Sequence, residues 1–293
     1  MQLTSNQWME NDGDDAASGQ AVEVRSIEID GRRVRVGIRA GNAAHGTPLL
    51  VFNGIGANLE LMEPFTEALA GVETIVFDIP GIGGSDLPAL PYRFFGLARL
   101  AKRVLTQLGY EQPVDVLGIS WGGALAQQFA FQYPARCRKL ILAATSAGAI
   151  MIPARLSVLS KLLSPRRYRD PDYLLRVGPS LYGGAFRRRP ELLQDHARHI
   201  APPRGRSYAY QLLAAWGWTS IFWLPLLRQP TLVMAGSDDP IVPLVNARIM
   251  AAVIRRSRLV VIDDGHLFLV TRPLESATAV KRFLAGDAAL AVE

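Results

Sequence analysis

The chain reads as an α/β protein: a mostly parallel, eight-stranded sheet with helices on both faces and one helical insertion. Three observations predict this. Short apolar runs alternate with helical patterns over residues 48–143, the alternation stops near Ser146, and it resumes at Pro230. A parallel sheet requires such alternation, because each strand needs a long crossover before the next, and the crossover helices cover both faces. With 293 residues there is enough chain for one large domain carrying an inserted subdomain.

In chain order, residues 21–40 alternate apolar and polar side chains on either side of Asp30-Gly31, a dipeptide that favours a two-residue hairpin turn. Segments 48–52, 74–77, 114–119 and 140–143 have the character of buried strands, and 59–69 and 95–108 carry helical spacing. Beyond Pro230, 231–235 and 259–262 are again strand-like, and 269–284 contains a closing helix. Between them, 146–228 is rich in Leu, Arg and Trp and shows no strand pattern, so it is expected to be a helical lid on a body made of 21–145 and 229–287. Residues 1–20 are polar and acidic, lack the basic start and apolar centre of a signal peptide, and are expected to form a disordered extension.

Composition narrows the function classes. No apolar run reaches the length of a membrane span, so no transmembrane segment is expected. The single cysteine, Cys137, excludes an intramolecular disulfide and suits a reducing cytoplasm. The net charge of +6 is concentrated in 146–228, where thirteen Lys and Arg face four Asp and Glu. A basic insertion on a mildly acidic body suggests a contact surface of its own, or simply a solvated arginine-rich face. Nucleic acid is not an expected partner.

The chemistry centres on Val114-Asp115-Val116-Leu117-Gly118-Ile119-Ser120-Trp121-Gly122-Gly123. This is G-x-S-x-G with an apolar strand before it and a helix after it, which resembles the nucleophile elbow of α/β hydrolases. A serine at a sharp strand-to-helix turn presents its oxygen above the sheet, and only small neighbours such as Gly118 and Gly122 let strand and helix approach closely. Ser120 then needs a base and an orienting acid, in the chain order serine, acid, histidine. Of His45, His196, His199 and His266, only His266 follows a late strand, in Asp263-Asp264-Gly265-His266. Asp238 and Asp239 both leave the preceding strand in Gly236-Ser237-Asp238-Asp239-Pro240. Asp239 is preferred because this fold commonly places its acid three residues after that glycine, and Asp238 fits an Asx-turn.

The oxyanion needs two backbone donors. One is expected from Trp121, next after the nucleophile, and the other from Ile55 in the loop Asn53-Gly54-Ile55-Gly56-Ala57-Asn58. Asn53 could buttress that loop, contact substrate or make a turn. His196 and His199 lie beside Asp195 at helical spacing, but no second ligand cluster supports a metal site. Asp78, ending the fourth strand, fits turn-making better than acid duty. No metal or organic cofactor is expected.

Several segments together resemble a known family. Asn-Gly-Ile-Gly-Ala-Asn from Asn53, Gly-Ile-Ser-Trp-Gly-Gly-Ala-Leu-Ala-Gln-Gln-Phe-Ala from Gly118 and Asp-Asp-Gly-His-Leu-Phe-Leu from Asp263 are similar to those of intracellular medium-chain-length poly(3-hydroxyalkanoate) depolymerases. So are Ser-Pro-Arg-Arg-Tyr from Ser164 and Trp-Gly-Trp-Thr-Ser-Ile from Trp216, and the similarity runs from about Val22 to Leu284, insertion included. The resemblance implies hydrolysis of a storage polyester to 3-hydroxy fatty acids at the surface of cytoplasmic granules, with a triad falling on Ser120, Asp239 and His266. It also implies asparagine at Asn53, where lipases and esterases commonly carry histidine. The polymerases that make the polyester use cysteine at the elbow, so Ser120 argues for breaking it.

Leu156, Leu159 and Leu163 recur at the spacing of an amphipathic helix. Trp216, Trp218, Phe222 and Trp223 are expected mostly to pack the lid onto the body, with some of them lining an apolar cleft for alkyl chains. Arg166, Arg167, Arg169 and Arg187 to Arg189 could meet anionic granule lipids. Other readings stay open: a general carboxylesterase or lipase, an acyltransferase to an alcohol or thiol, or a non-catalytic binding protein on this fold. Dehalogenase and epoxide hydrolase chemistry would need aspartate in place of Ser120.

Overall fold

The computed structural model describes residues 21–42 and 46–286; the expected extension 1–20, His45 and residue 287 lie outside the described residues. Strands β1 (Glu23–Ile29) and β2 (Arg32–Arg39) form an antiparallel hairpin. Its turn residues Asp30 and Gly31 have φ of 53° and 69°, the two positive values a type I′ turn requires. Strands β3 (Leu49–Phe52), β4 (Thr74–Phe77), β5 (Val114–Ile119), β6 (Cys137–Ala143), β7 (Thr231–Gly236) and β8 (Ser257–Ile262) complete the sheet. The order is β1-β2-β4-β3-β5-β6-β7-β8. The sheet has the expected eight strands, and every neighbouring pair from β4 to β8 is parallel. β3, β5 and β7 are buried along their whole length, as strands covered on both faces must be.

Helices α1 (Glu63–Ala68), α2 (Phe94–Gln107) and α3 (Trp121–Gln132) precede the insertion. Within the insertion run α4 (Leu156–Leu163), α5 (Pro171–Tyr182), α6 (Gly184–Arg188), α7 (Leu192–Arg198) and α8 (Ser207–Ala215); α9 (Leu244–Val253), α10 (Phe268–Thr271) and α11 (Pro273–Ala285) follow it. Prolines set two boundaries. Leu59–Met62 is a 3-10 turn and the α-helix starts only at Glu63, because Pro64 belongs in a first turn. Pro273 likewise separates α10 from α11. On one face of the sheet α2, α3 and α9 bring in Leu97, Leu125, Phe129 and Met250. On the other, α1, α10 and α11 bring in Phe65, Phe268, Val280 and Phe283.

Between β6 and β7 the described chain builds helices and 3-10 turns, with one isolated bridge, Gly148 to Thr219. These helices have their own core of Val158, Leu174, Leu181, Tyr182, Phe186 and Leu193, continued by Ile241 and Val242 of the body. The leucine spacing of 156–163 does form a helix, α4, but the residue it buries is Val158; Leu156 is 84% and Leu163 62% exposed.

On α7, His196 is buried with its ring 6.0 Å from that of Tyr182 and 5.5 Å from that of Phe186. Burial, helped by repulsion from His199 and opposed by Asp195, pushes its pKa down from 6.5 to about 4. An unfolded chain protonates this histidine below about 6.5, whereas the folded chain keeps it neutral down to about 4. Between those values the unfolded state binds more protons, so stability falls as pH falls. We expect the melting temperature to drop across this window more steeply in the native chain than in His196→Phe; parallel profiles in scanning calorimetry would reject this source of acid lability.

Candidate active site

Strand β5 ends at Ile119 and α3 begins at Trp121, which leaves Ser120 alone to turn the chain, at φ 55° and ψ −119°. Such a backbone persists for a non-glycine residue only when its surroundings fix it. Here the Ser120 N–H donates to the Ala143 carbonyl at 2.9 Å, and the Ser120 carbonyl accepts from Gly123 N–H at 2.9 Å and Thr145 Oγ1 at 2.7 Å. The flanking glycines are sterically obligatory. A Cβ on Gly118 would stand 2.3 Å from the Gly122 carbonyl oxygen, and one on Gly122 would stand 2.1 Å from that of Phe52.

The loops after β7 and β8 bring the other two residues to the serine. His266 Nε2 lies 2.9 Å from Ser120 Oγ, and its Nδ1 lies 2.7 Å from Asp239 Oδ2. Asp239 Oδ1 accepts the N–H groups of Ile241 and Val242 at 2.8 and 2.9 Å, so the carboxylate is aimed by its own loop. The neighbouring Asp238 faces away: it accepts from Gly184 N–H at 2.8 Å and from Arg187 at 2.8 Å. His266 N–H donates to the Tyr182 carbonyl at 2.8 Å. Asp264, buried and unassigned by sequence reasoning, braces the loop by accepting from Gly265 N–H at 2.7 Å, Thr271 Oγ1 at 2.8 Å and the Ala185 N–H.

On the far side of Ser120 lies the loop after β3. Asn53 Oδ1 accepts from Gly54 N–H, and its Nδ2 donates to the Asn58 carbonyl, each at 2.8 Å, so the side chain bridges its own loop. Gly56 N–H donates to Gln211 Oε1 at 2.9 Å and Ala57 N–H to the Gly54 carbonyl at 3.2 Å. Over residues 54–57 this leaves the Ile55 N–H without a protein acceptor among the described residues. Asp78 makes turns: it is buried, accepts from Leu59 N–H at 2.9 Å and Gly84 N–H at 3.1 Å, and burial raises its pKa against the pull of Arg35.

A cavity of about 60 Å³ opens at Ser120 and His266 and is walled by Asn53, Ile55, Leu162, Tyr168, Tyr182 and Ile241, among others. A larger one of about 370 Å³ shares Leu61, His196 and Val270 with it. Trp216, Trp218, Phe222 and Trp223 are not among the residues that wall the cavity at Ser120. Trp218 packs 5.0 Å from Phe94 and donates to Gln128 at 3.0 Å, Trp223 stacks on Phe131 at 4.4 Å, and Trp216 and Phe222 are exposed. The Gly148–Thr219 bridge and the contacts to Gln128 and Phe131 hold this segment over α3. One expectation about the basic residues is corrected. Arg167 is buried, donates to the Leu162 and Ser164 carbonyls and lies over the Tyr168 ring, so it cannot meet a lipid surface. His199 Nδ1 sits 2.9 Å from the Asp195 carbonyl oxygen, and the described residues bring no metal-holding cluster of three or more His, Cys, Asp or Glu together.

A strained serine bonded to a histidine bonded to a buried aspartate, above the C-terminal ends of parallel strands, is the arrangement of a serine hydrolase. The family model described as alpha/beta hydrolase fold matches residues 47–273, and the chain belongs to that family. Among curated proteins, the poly(3-hydroxyalkanoate) depolymerase of Ectopseudomonas oleovorans is 54% identical over 89% of this chain and 92% of its own length. The resemblance read in the sequence is thereby borne out. Among solved structures, an enol-lactonase from Burkholderia xenovorans LB400 superposes with a TM-score of 0.76 at 21% identity, covering 89% of this chain and all of that one. A thermophilic esterase from Thermogutta terrifontis superposes at 0.74 with 25% identity over 90% of this chain and 98% of that one.

The geometry separates the two aspartates. Asp239→Asn should lower kcat by roughly 10⁴ with little change in fold, because the imidazole loses the partner that sets its tautomer. Asp238→Asn should stay within about threefold of the native chain on the same soluble ester, since surface ion pairs contribute little; the reverse ranking would reassign the acid.

Proposed function

We propose that this chain hydrolyses the ester bonds of medium-chain-length poly(3-hydroxyalkanoate) to 3-hydroxy fatty acids, at the surface of storage granules in the cytoplasm. The observation that carries the reading is the relay of 2.9 and 2.7 Å through Ser120, His266 and Asp239 in a chain so similar to a named depolymerase. His266 takes the proton of Ser120 as Oγ attacks the ester carbonyl carbon. The resulting oxyanion accepts from the Ile55 and Trp121 N–H groups. Imidazolium then protonates the leaving alkoxide, and water, deprotonated by His266, attacks the acyl-enzyme to release the acid and restore the serine. Asp239 holds the Nδ1 proton and stabilises the imidazolium. No step calls for a metal or organic cofactor.

Surface features support contact with a water-insoluble substrate. Leu156 and Leu163 of α4 are exposed, with Arg166 and Arg169 also exposed just beyond the helix, a mixture suited to an apolar body coated with anionic lipid. No helix of the described residues is long and apolar enough to cross a membrane. Anionic liposomes should bind the protein more tightly than neutral ones in a sedimentation assay, and equal binding would exclude the charged contact.

The decisive assay is turbidity clearing of a polyhydroxyoctanoate latex with release of 3-hydroxy acids. The native chain should clear it and Ser120→Ala should not. An intact latex alongside cleavage of short p-nitrophenyl esters would replace this reading with a general carboxylesterase.

A further inference from the structure

We infer that the helical insertion completes the oxyanion hole, with Tyr168 and Gln211 as positioning residues for the Ile55 N–H. The inference rests on the proposed role of that N–H as an oxyanion donor.

The donor belongs to the peptide joining residues 54 and 55, and both neighbouring peptides are pinned. On one side, Gly54 N–H is held by Asn53 Oδ1 at 2.8 Å. On the other, the peptide joining residues 55 and 56 is gripped at both ends from the insertion. The Tyr168 hydroxyl donates to the Ile55 carbonyl, and Gln211 Oε1 accepts the Gly56 N–H at 2.9 Å. With its neighbours fixed, the intervening peptide has little freedom left in the direction of its N–H.

The two pins are themselves rigidly mounted. Tyr168 lies under the buried Arg167, whose guanidinium carbon is 4.5 Å from the ring centre. Gln211 is fully buried on α8, and its carbonyl accepts from Trp121 Nε1 at 2.8 Å. One residue therefore contacts the loop that carries the Ile55 donor and the side chain of the residue that carries the other donor. A loop with glycine at 54 and 56 would otherwise reorient readily, and an oxyanion hole acts through donors fixed before the reaction begins.

Tyr168→Phe removes one oxygen and Gln211→Met one acceptor. Each variant would be assayed on p-nitrophenyl hexanoate and with a boronic acid that forms a tetrahedral adduct on Ser120. We expect kcat to fall roughly 10- to 100-fold, below the full cost of deleting a donor. KM should hold within about twofold, boronate affinity should weaken in step with kcat, and melting temperature should change little. Native kcat in a folded Tyr168→Phe, or a lower kcat with unchanged boronate affinity, would overturn the inference. Full activity in Ser120→Ala would instead overturn the reading beneath it, so the two failures are distinguishable.

Discussion

The backbone at Ser120 is the constraint on which the rest of the site depends. Holding a non-glycine residue at so sparsely populated a φ and ψ costs on the order of 1–3 kcal/mol, and three hydrogen bonds, with Ala143, Gly123 and Thr145, keep it there. The same turn forces Gly118 and Gly122 and brings α3 against Phe52. It also fixes where partners can come from. β5 is flanked by β3 and β6, with β7 and β8 beyond, all parallel. Loops leaving β3, β7 and β8 therefore converge on one end of the sheet, where open α/β sheets place their ligands.

Body and insertion are joined at this end loop by loop. The junction of α5 and α6 accepts the His266 N–H through Tyr182, donates to Asp238 from Gly184 and donates to Asp264 from Ala185. Arg187 and Arg188 reinforce it at Asp238 and at the Asp263 carbonyl. The loop after β3 is held separately, by Tyr168, Gln211 and the Asn58 contact to His199. Buried polar groups satisfied across two parts of a chain are costly to separate, since each partner left unpaired loses its hydrogen bond away from water.

What the sequence discloses about this arrangement is the part encoded within a few residues. The hairpin turn at Asp30-Gly31, the buried strands and the elbow glycines each follow from local geometry, whereas 59–69 and 269–284 read as unbroken and are divided at Pro64 and Pro273. His266 was legible because chain order and a late strand single it out. The choice between Asp238 and Asp239 leaned on a habit of the fold, and what separates them physically is Arg187, which lies 51 residues before Asp238. Tryptophans 216 to 223 are apolar in any window, but which face they cover depends on a bridge to Gly148. Arg167 reads as a surface charge until the Tyr168 and Tyr208 rings close around it. Tyr168 and Gln211 carried no signal of their own, because their partners are 113 and 155 residues away.

The cavity at Ser120 bears on how a bulky ester reaches the serine under the proposed function. Its 60 Å³ is room for a few waters, so an alkyl side chain of medium length reaches beyond it. Displacing the whole insertion would break the bonds from Tyr182, Ala185, Tyr168 and Gln211 that hold the histidine loop and the loop after β3. Moving the side chains of Leu61, His196 and Val270, the wall shared with the 370 Å³ cavity, breaks none of them. Widening the cavity at that wall would leave the reacting groups in place. The hydrogen bonds between insertion and body favour this route over a rigid-body opening.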